Sequence, residues 1–358
     1  MLQVGIVGLA NVGKSTLFNA LLRRQQALVA NYPFATIEPN VGIVPVPDER
    51  LPKLKGVVEE TEGIEGVPIV PATVQFVDIA GLVKGASEGA GLGNKFLSHI
   101  REVDVICEVV RAFPDEEVVR EGSTEPISDI DVINTELVLA DLQVLAKQKI
   151  DGSTSPVKKR ALEKLKTGMD KGMLASGVGL SEEEYEEIKE LQLLTFKKII
   201  YVLNVNTTTN WKGTMDTLAM LQANGYQTVV IDAKLEAELS ALDPDEQVEY
   251  LGSLGIKESG LDQLIGLAYR TLGLISFLTA GEKEVRAWTI KRGTKAPQAA
   301  GVIHTDFEKG FIKAEVVDFP DFVDLGGWKN VREAGKVRLE GRDYEMRDGD
   351  VVEFKVNV

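Results

Sequence analysis

Gly8-Leu9-Ala10-Asn11-Val12-Gly13-Lys14-Ser15 carries the clearest chemistry in the chain. It fits G-x-x-x-x-G-K-[ST], the loop that wraps the phosphates of a nucleoside triphosphate. Gly8 and Gly13 can take backbone angles closed to other residues, so successive N–H groups turn inward as an anion nest at the positive end of a helix. Lys14 then supplies a point charge to the outer phosphates, and the Ser15 hydroxyl is a hard oxygen ligand for Mg²⁺. Asn11, Val12, Gly13, Lys14, Ser15 and Thr16 are therefore the expected nucleotide-binding residues of this loop. A second constellation, Asp78-Ile79-Ala80-Gly81, follows about 65 residues later, with a carboxylate suited to Mg²⁺ and a glycine amide suited to the terminal phosphate. Asp78 has a plainer alternative as a turn or N-cap carboxylate, and the loop itself could be a chance glycine turn.

These residues need a strand before and a helix after them. Val4-Gly5-Ile6-Val7 reads as a buried strand, and Thr16–Leu22 reads as a helix. Val74–Val77 is a strand ending at Asp78. Val105–Val110, Ile199–Leu203 and Thr228–Ile231 are further strands with helical patterns between them, as in an α/β doubly wound, mostly parallel sheet of the P-loop NTPase type. Ligands bind at the carboxyl ends of such strands, so Asn204-Val205 and Asp232-Ala233 join the candidate nucleotide site. Asn31–Asn40 is too rich in proline and turn formers for a regular element. Gly81–Gly93 holds five glycines in thirteen residues, which suits a switch.

Between 134 and 197 the pattern is helical. Asn134 is the expected cap of a helix over 136–150, and the capping box Ser181-x-x-Glu184 precedes a second long amphipathic segment. Lys147, Lys149, Lys158, Lys159, Arg160, Lys164, Lys166 and Lys171 form a basic cluster there, read either as a solvated helix face or as a polyanion contact. From Glu284 onward short strands alternate with turns, forming a separate module. The expected division is a nucleotidase domain over 1–133 and 198–280, a helical insertion over 134–197, and a C-terminal module over 281–358.

The chain has 358 residues, with 40 Lys+Arg against 55 Asp+Glu, a net charge of −15 that argues against indiscriminate coating of nucleic acid. Residues 281–358 hold 14 basic and 15 acidic side chains (net −1), leaving 26 against 40 (net −14) for 1–280. Cys107 stands alone in an apolar run and reads as a small core residue. No stretch approaches 18 uninterrupted apolar residues and no basic region precedes the first apolar run, so a cytoplasmic monomer without membrane contact is expected. His99 and His304, the two histidines, lack the neighbours of a zinc site.

Asn11-Val12-Gly13-Lys14-Ser15-Thr16, Asn31-Tyr32-Pro33-Phe34-x-Thr36-Ile37, Asp78–Ala86 and the C-terminal stretch Ala296–Phe311 together resemble the YchF family of Obg-related P-loop nucleotidases, over essentially the whole chain. The resemblance implies a G domain, a helical insertion of coiled-coil character and a C-terminal TGS domain of β-grasp type. It also implies a preference for ATP over GTP, weak hydrolysis, and association with the ribosome or a ribosomal subunit and its RNA. By match to the family's motifs, Lys14, Ser15, Thr36 and Asp78 handle phosphate and Mg²⁺, with Ser15, Thr36 and Asp78 as the metal ligands; Thr36 could instead be an ordinary loop threonine. Lys14, Gly81 and Asn11 are the expected catalytic groups.

Guanine-specific relatives use Asn-Lys-x-Asp, whereas this chain has Asn204-Val205-Asn206-Thr207, so guanine loses its charged acceptor pair. YchF relatives usually carry Glu at that fourth position, so Thr207 departs from the family pattern. Leu82 follows Asp-x-x-Gly where small signalling GTPases place a water-orienting glutamine, and leucine cannot polarise water. Asn11 is the candidate holder of a K⁺ ion beside the phosphates, or else a brace for the loop. The leading expectation is a slow ATPase, with possible GTP binding, acting as a ribosome-associated switch. The alternatives are a nucleotide-binding scaffold without useful turnover, a GTP-specific Obg-like GTPase, and a small-molecule kinase, the last disfavoured by the lack of an acceptor module or lid arginines.

Overall fold

A computed structural model describes residues 2–31, 40–79, 92–113, 126–206 and 212–357. Thr36, Gly81, Leu82 and Thr207 lie outside the described residues. The chain divides into two compact units, Met1–Val44 with Gln75–Leu264 and Pro45–Val74 with Ile265–Val358.

The first unit is built on a six-stranded sheet of β1 (Gln3–Val7), β2 (Val41–Pro45), β4 (Thr73–Asp78), β5 (Val105–Arg111), β6 (Lys198–Asn204) and β7 (Gln227–Ile231), in the order β2-β4-β1-β5-β6-β7. β4, β1, β5, β6 and β7 pair in parallel, with Ile6 opposite Asp78 on one side and Cys107 on the other. All seven residues of β5 are buried, as expected of a central parallel strand covered on both faces. The strand order reverses around β1, which makes its carboxyl end the crevice where such sheets take ligands. Helix α1 (Lys14–Asn31) starts there.

The helices of this unit also correct two expectations. The one expected to begin at Asn134 runs from Pro126 to Ala146 (called α4, after α2, Arg50–Glu62, and α3, Leu92–Glu102). Asn134 lies inside it, and its Nδ2 donates to the Tyr201 hydroxyl at 3.4 Å. Proline is suited to a helix's first turn because its missing N–H would be unpaired there. α5 (Pro156–Met169) follows, capped by Ser155. The capping box of Ser181 and Glu184 forms, but α6 (Glu182–Glu186) is one short helix and gives way to 3₁₀ turns rather than a long amphipathic segment. The insertion is closed by Asp141 of α4, whose carboxylate accepts from Leu194 N and Thr195 N at 2.8 Å each and from Thr195 Oγ1 at 2.7 Å. α7 (Lys212–Ala223), α8 (Ala233–Leu239) and α9 (Pro244–Ser253) complete the series, and α10 (Gly260–Thr271) spans the division between the two units.

The second unit holds a mixed six-stranded sheet, β11-β10-β12-β8-β9-β3, of β3 (Ile69–Val70), β8 (Leu274–Ala280), β9 (Val285–Lys291), β10 (Phe311–Asp318), β11 (Arg338–Glu340) and β12 (Asp350–Val356). α11 (Ala296–Ile303) packs on it through Ala296, Ala299 and Ala300, whose small side chains sit in one core with Phe277, Phe311 and Val352. The C-terminal module is thus a mixed sheet with α11 packed against it. Its membership differs from the expected boundary at 280/281, because β8 pairs with β9 and β12, and α2 and β3 are recruited from residues 45–74.

Candidate nucleotide-binding site

The loop after β1 has the backbone that its glycines predict. Gly13 has φ +99°, and a Cβ there would lie 2.2 Å from Asn204 Nδ2; a Cβ on Gly8 would lie 2.5 Å from the Val109 carbonyl oxygen. Both positions exclude a side chain on steric grounds alone. Asn11 takes φ +60°, a left-handed conformation that asparagine tolerates better than most residues. Leu17 N reaches Gly13 O at 3.0 Å, so the helix is under way immediately after the loop, and the amides of its first turn have no intrahelical acceptor.

Lys14 is 9% exposed, and its Nζ donates to the Leu9 carbonyl at 2.5 Å, folding the side chain back along the loop. Burial pushes its ammonium below the ordinary lysine range, with the Asp78 carboxylate opposing that shift. Burial likewise pushes the Asp78 carboxyl up, against the pull of Lys14. These two charges share one end of the sheet, since Asp78 closes β4 beside β1.

Asn204 ties the loops together. Its Nδ2 donates to the Val12 carbonyl at 2.9 Å, and its Oδ1 accepts from Ala233 N at 3.0 Å. One buried amide thus links the carboxyl ends of β1, β6 and β7. Asp232 caps α8, its Oδ1 accepting from Lys234 N at 3.1 Å and Leu235 N at 3.0 Å.

Asn11, Gly13, Lys14, Ser15, Thr16, Asn204, Val205, Asp232 and Ala233 line one cavity of about 930 Å³. Val12 contributes through its carbonyl while its side chain is buried. Sequence reading placed Lys234 at the same strand end as Asp232 and Ala233, and it missed Arg111, Phe113, Glu238, Tyr250 and Leu254 on the same walls. Arg111 and Phe113 follow directly on the Val105–Val110 strand, and a residue at the carboxyl end of a central strand is the signal that could have found them. Thr36 and Gly81 lie outside the described residues, as does the fourth position of the Asn204 motif. Among the described residues no group of three or more His, Cys, Asp or Glu could hold a metal ion. His99 lies in the last turn of α3. The exposed His304 caps α12 (Thr305–Lys309), its Nδ1 accepting from Asp306 N at 3.3 Å.

A glycine nest at the carboxyl end of β1, where the strand order reverses, with Asn204 bracing it from β6, defines a P-loop nucleotidase of the GTPase type. The profile described as "50S ribosome-binding GTPase" matches residues 3–149, and that of the YchF-type GTPase C-terminal domain, described as a protein of unknown function, matches 274–357. The chain is 48% identical to the ribosome-binding ATPase YchF of Bacillus subtilis over 373 residues, covering 100% of both, and 47% identical to that of Haemophilus influenzae over 367 residues, covering 99% of both. The solved YchF GTPase of Schizosaccharomyces pombe superposes with a TM-score of 0.85 at 38% identity, over 99% of this chain and 97% of that one. The chain belongs to the YchF family.

Proposed function

We propose that this protein binds ATP in the cavity at the end of β1, hydrolyses it slowly, and associates with the ribosome or one of its subunits in a nucleotide-dependent manner. The observation that carries the reading is the convergence on one cavity of nine residues read from sequence as nucleotide ligands. The relatives' shared name, ribosome-binding ATPase, supports both the reaction and the partner.

The choice of base rests on what the site has already spent. A guanine edge asks for a carboxylate acceptor at N1 and N2 and a donor at O6. The Asp232 carboxylate accepts two α8 amides, and the Ala233 amide is engaged by Asn204. With no aspartate in Asn204-Val205-Asn206-Thr207, guanine would leave its donors uncompensated, a penalty adenine does not incur.

Lys14 and the loop amides bind and orient the phosphates. Ser15 and Asp78 are hard oxygen donors that fit Mg²⁺, and Thr36 joins them by motif; the small number of protein ligands suits an ion that keeps waters and phosphate oxygens in its shell. Mg²⁺, when bound, neutralises phosphate charge. The Asn11 side chain is the candidate K⁺ ligand, and the Gly81 amide the candidate contact to the terminal phosphate. Leu82 offers no polar group to the attacking water, which supports slow intrinsic turnover and keeps a scaffold role without turnover as the second reading. The relatives' ribosome-binding name supports a cytoplasmic location, and no described helix is long and apolar enough to cross a membrane.

The ribosome contact is assigned to the basic residues of α5, among them Lys158, Lys159, Arg160 and Lys166, and to the C-terminal module. Lys164 and Arg160 are partly neutralised by Glu184, at 2.7 Å and 3.7 Å. Calorimetry of the purified chain with ATP and with GTP, followed by phosphate release with and without ribosomes, tests the reading. Tighter binding of GTP, or no release under either condition, overturns the ATPase assignment.

A further inference from the structure

Arg111 is the last residue of β5 and sits in register with Asn204 of β6. Its side chain is 2% exposed. Nε donates to the Phe113 carbonyl at 3.2 Å, and the guanidinium carbon lies 4.7 Å from the centroid of the Phe113 ring. The residue between them is pinned on both sides: Ala112 N donates to Asn204 O at 2.8 Å, and Ala112 O accepts from Thr214 Oγ1 at 2.9 Å. Arg111, Phe113, Asn204 and Val205 line the same cavity.

Burying a guanidinium is costly, and filling space beside an apolar strand does not require one. What a guanidinium adds is a planar fork that holds two things at once. The Nε bond fixes the Phe113 carbonyl, and the plane stacked on the ring fixes the ring's attitude. A lysine would keep the charge and lose the stack. We infer that Arg111 is a positioning residue for nucleotide binding: it holds the Phe113 ring as a preorganised wall against which the base packs. This rests on the nucleotide reading of the cavity. Stacking on an aromatic face contributes affinity through the base, whereas the glycine nest and Lys14 act on the phosphates, so the two contributions are separable by ligand.

The full-length protein is titrated calorimetrically, in Mg²⁺, with ATP and with inorganic tripolyphosphate, which has the phosphates and no base. Arg111→Met and Phe113→Leu should each weaken ATP binding about tenfold, the scale of one base–aromatic contact, and leave tripolyphosphate binding unchanged. The double variant should lose no more than either single one, because both remove the same wall. If Arg111→Met does not fold by circular dichroism, Arg111→Lys carries the test and must show the same split between ligands. Equal weakening of ATP and tripolyphosphate, or additive losses in the double variant, would overturn the inference. A parent protein that binds neither ligand would instead overturn the nucleotide reading beneath it.

Discussion

Asp141→Ala should unfasten the helical insertion. The Asp141 side chain is fully buried and accepts three hydrogen bonds of 2.7 to 2.8 Å, all from the segment that re-enters the sheet. Thr195 Oγ1 in turn accepts from Ala175 N at 3.0 Å, so one carboxylate joins α4, the turn at Ala175 and the approach to β6. Hydrogen bonds to a charged acceptor contribute about 1.5–3 kcal/mol each, and the variant would leave three buried donors without that acceptor. Against this stands the cost of keeping a carboxylate out of water, which is large enough to push the Asp141 carboxyl above its ordinary range despite those bonds. The balance gives a loss of about 3–5 kcal/mol, as for other buried charged groups deprived of a partner. Asp141→Asn keeps the shape but turns an amide N–H toward a donor, so its loss should be smaller, about 1–2 kcal/mol. Urea denaturation of parent and both variants measures the order, and amide exchange at Leu194 and Thr195 locates it. A loss under about 1 kcal/mol for Asp141→Ala, or unchanged exchange at those two amides, would refute the reasoning.

Lys14→Ala should reduce ATP affinity at least about tenfold with the circular dichroism spectrum intact, since one charge-assisted phosphate contact is lost; calorimetry reads it. Glu108 is fully buried with no hydrogen bond to either carboxyl oxygen among the described residues, and burial together with Asp129 and Asp131 pushes its carboxyl well up. The folded chain therefore holds this proton more tightly than the unfolded chain, and stability falls as pH rises above the unfolded value, by about 1.4 kcal/mol per pH unit until the folded group ionises. Glu108→Gln should remove that slope and be more stable than the parent at pH 7, with the difference vanishing near pH 4; denaturation across pH is the measurement. Hydrolysis should be faster in K⁺ than in Na⁺, and Asn11→Ala should abolish the difference in phosphate release. Reversing Lys158, Lys159 and Arg160 to Glu should weaken co-sedimentation with ribosomes, most visibly at low salt; equal pelleting would leave the α5 face as solvated surface.

The phosphate loop was legible because its chemistry is a backbone requirement written in residue types: only glycine fits where a Cβ would meet Asn204 Nδ2 or the Val109 carbonyl. The parallel strands were legible because a strand buried on both faces is a continuous apolar run, as β5 and β6 are. Helix starts were less so. Asn134 has the chemistry of an N-cap, yet the apolar face continues upstream through Ile130 and Ile133, both buried, and packing overrides a local cap preference. The segment after Ser181 shows the converse, since its cap is real but Glu182, Glu183, Glu186 and Glu187 give little apolar face to bury, and the helix ends within two turns. The second sheet's borrowing of 45–74 is written in no local pattern, because β3 has two residues and pairs with a strand more than 200 positions away. Site residues divide by the same logic. Asp232 stands at the carboxyl end of β7 as the sequence reading expected, but its carboxylate serves the α8 cap, which any Asp before a helix can do. Arg111 shows no signal by type, being one arginine among many. Its position at the end of a buried strand, beside an aromatic two residues on, turns a surface residue type into part of the cavity wall.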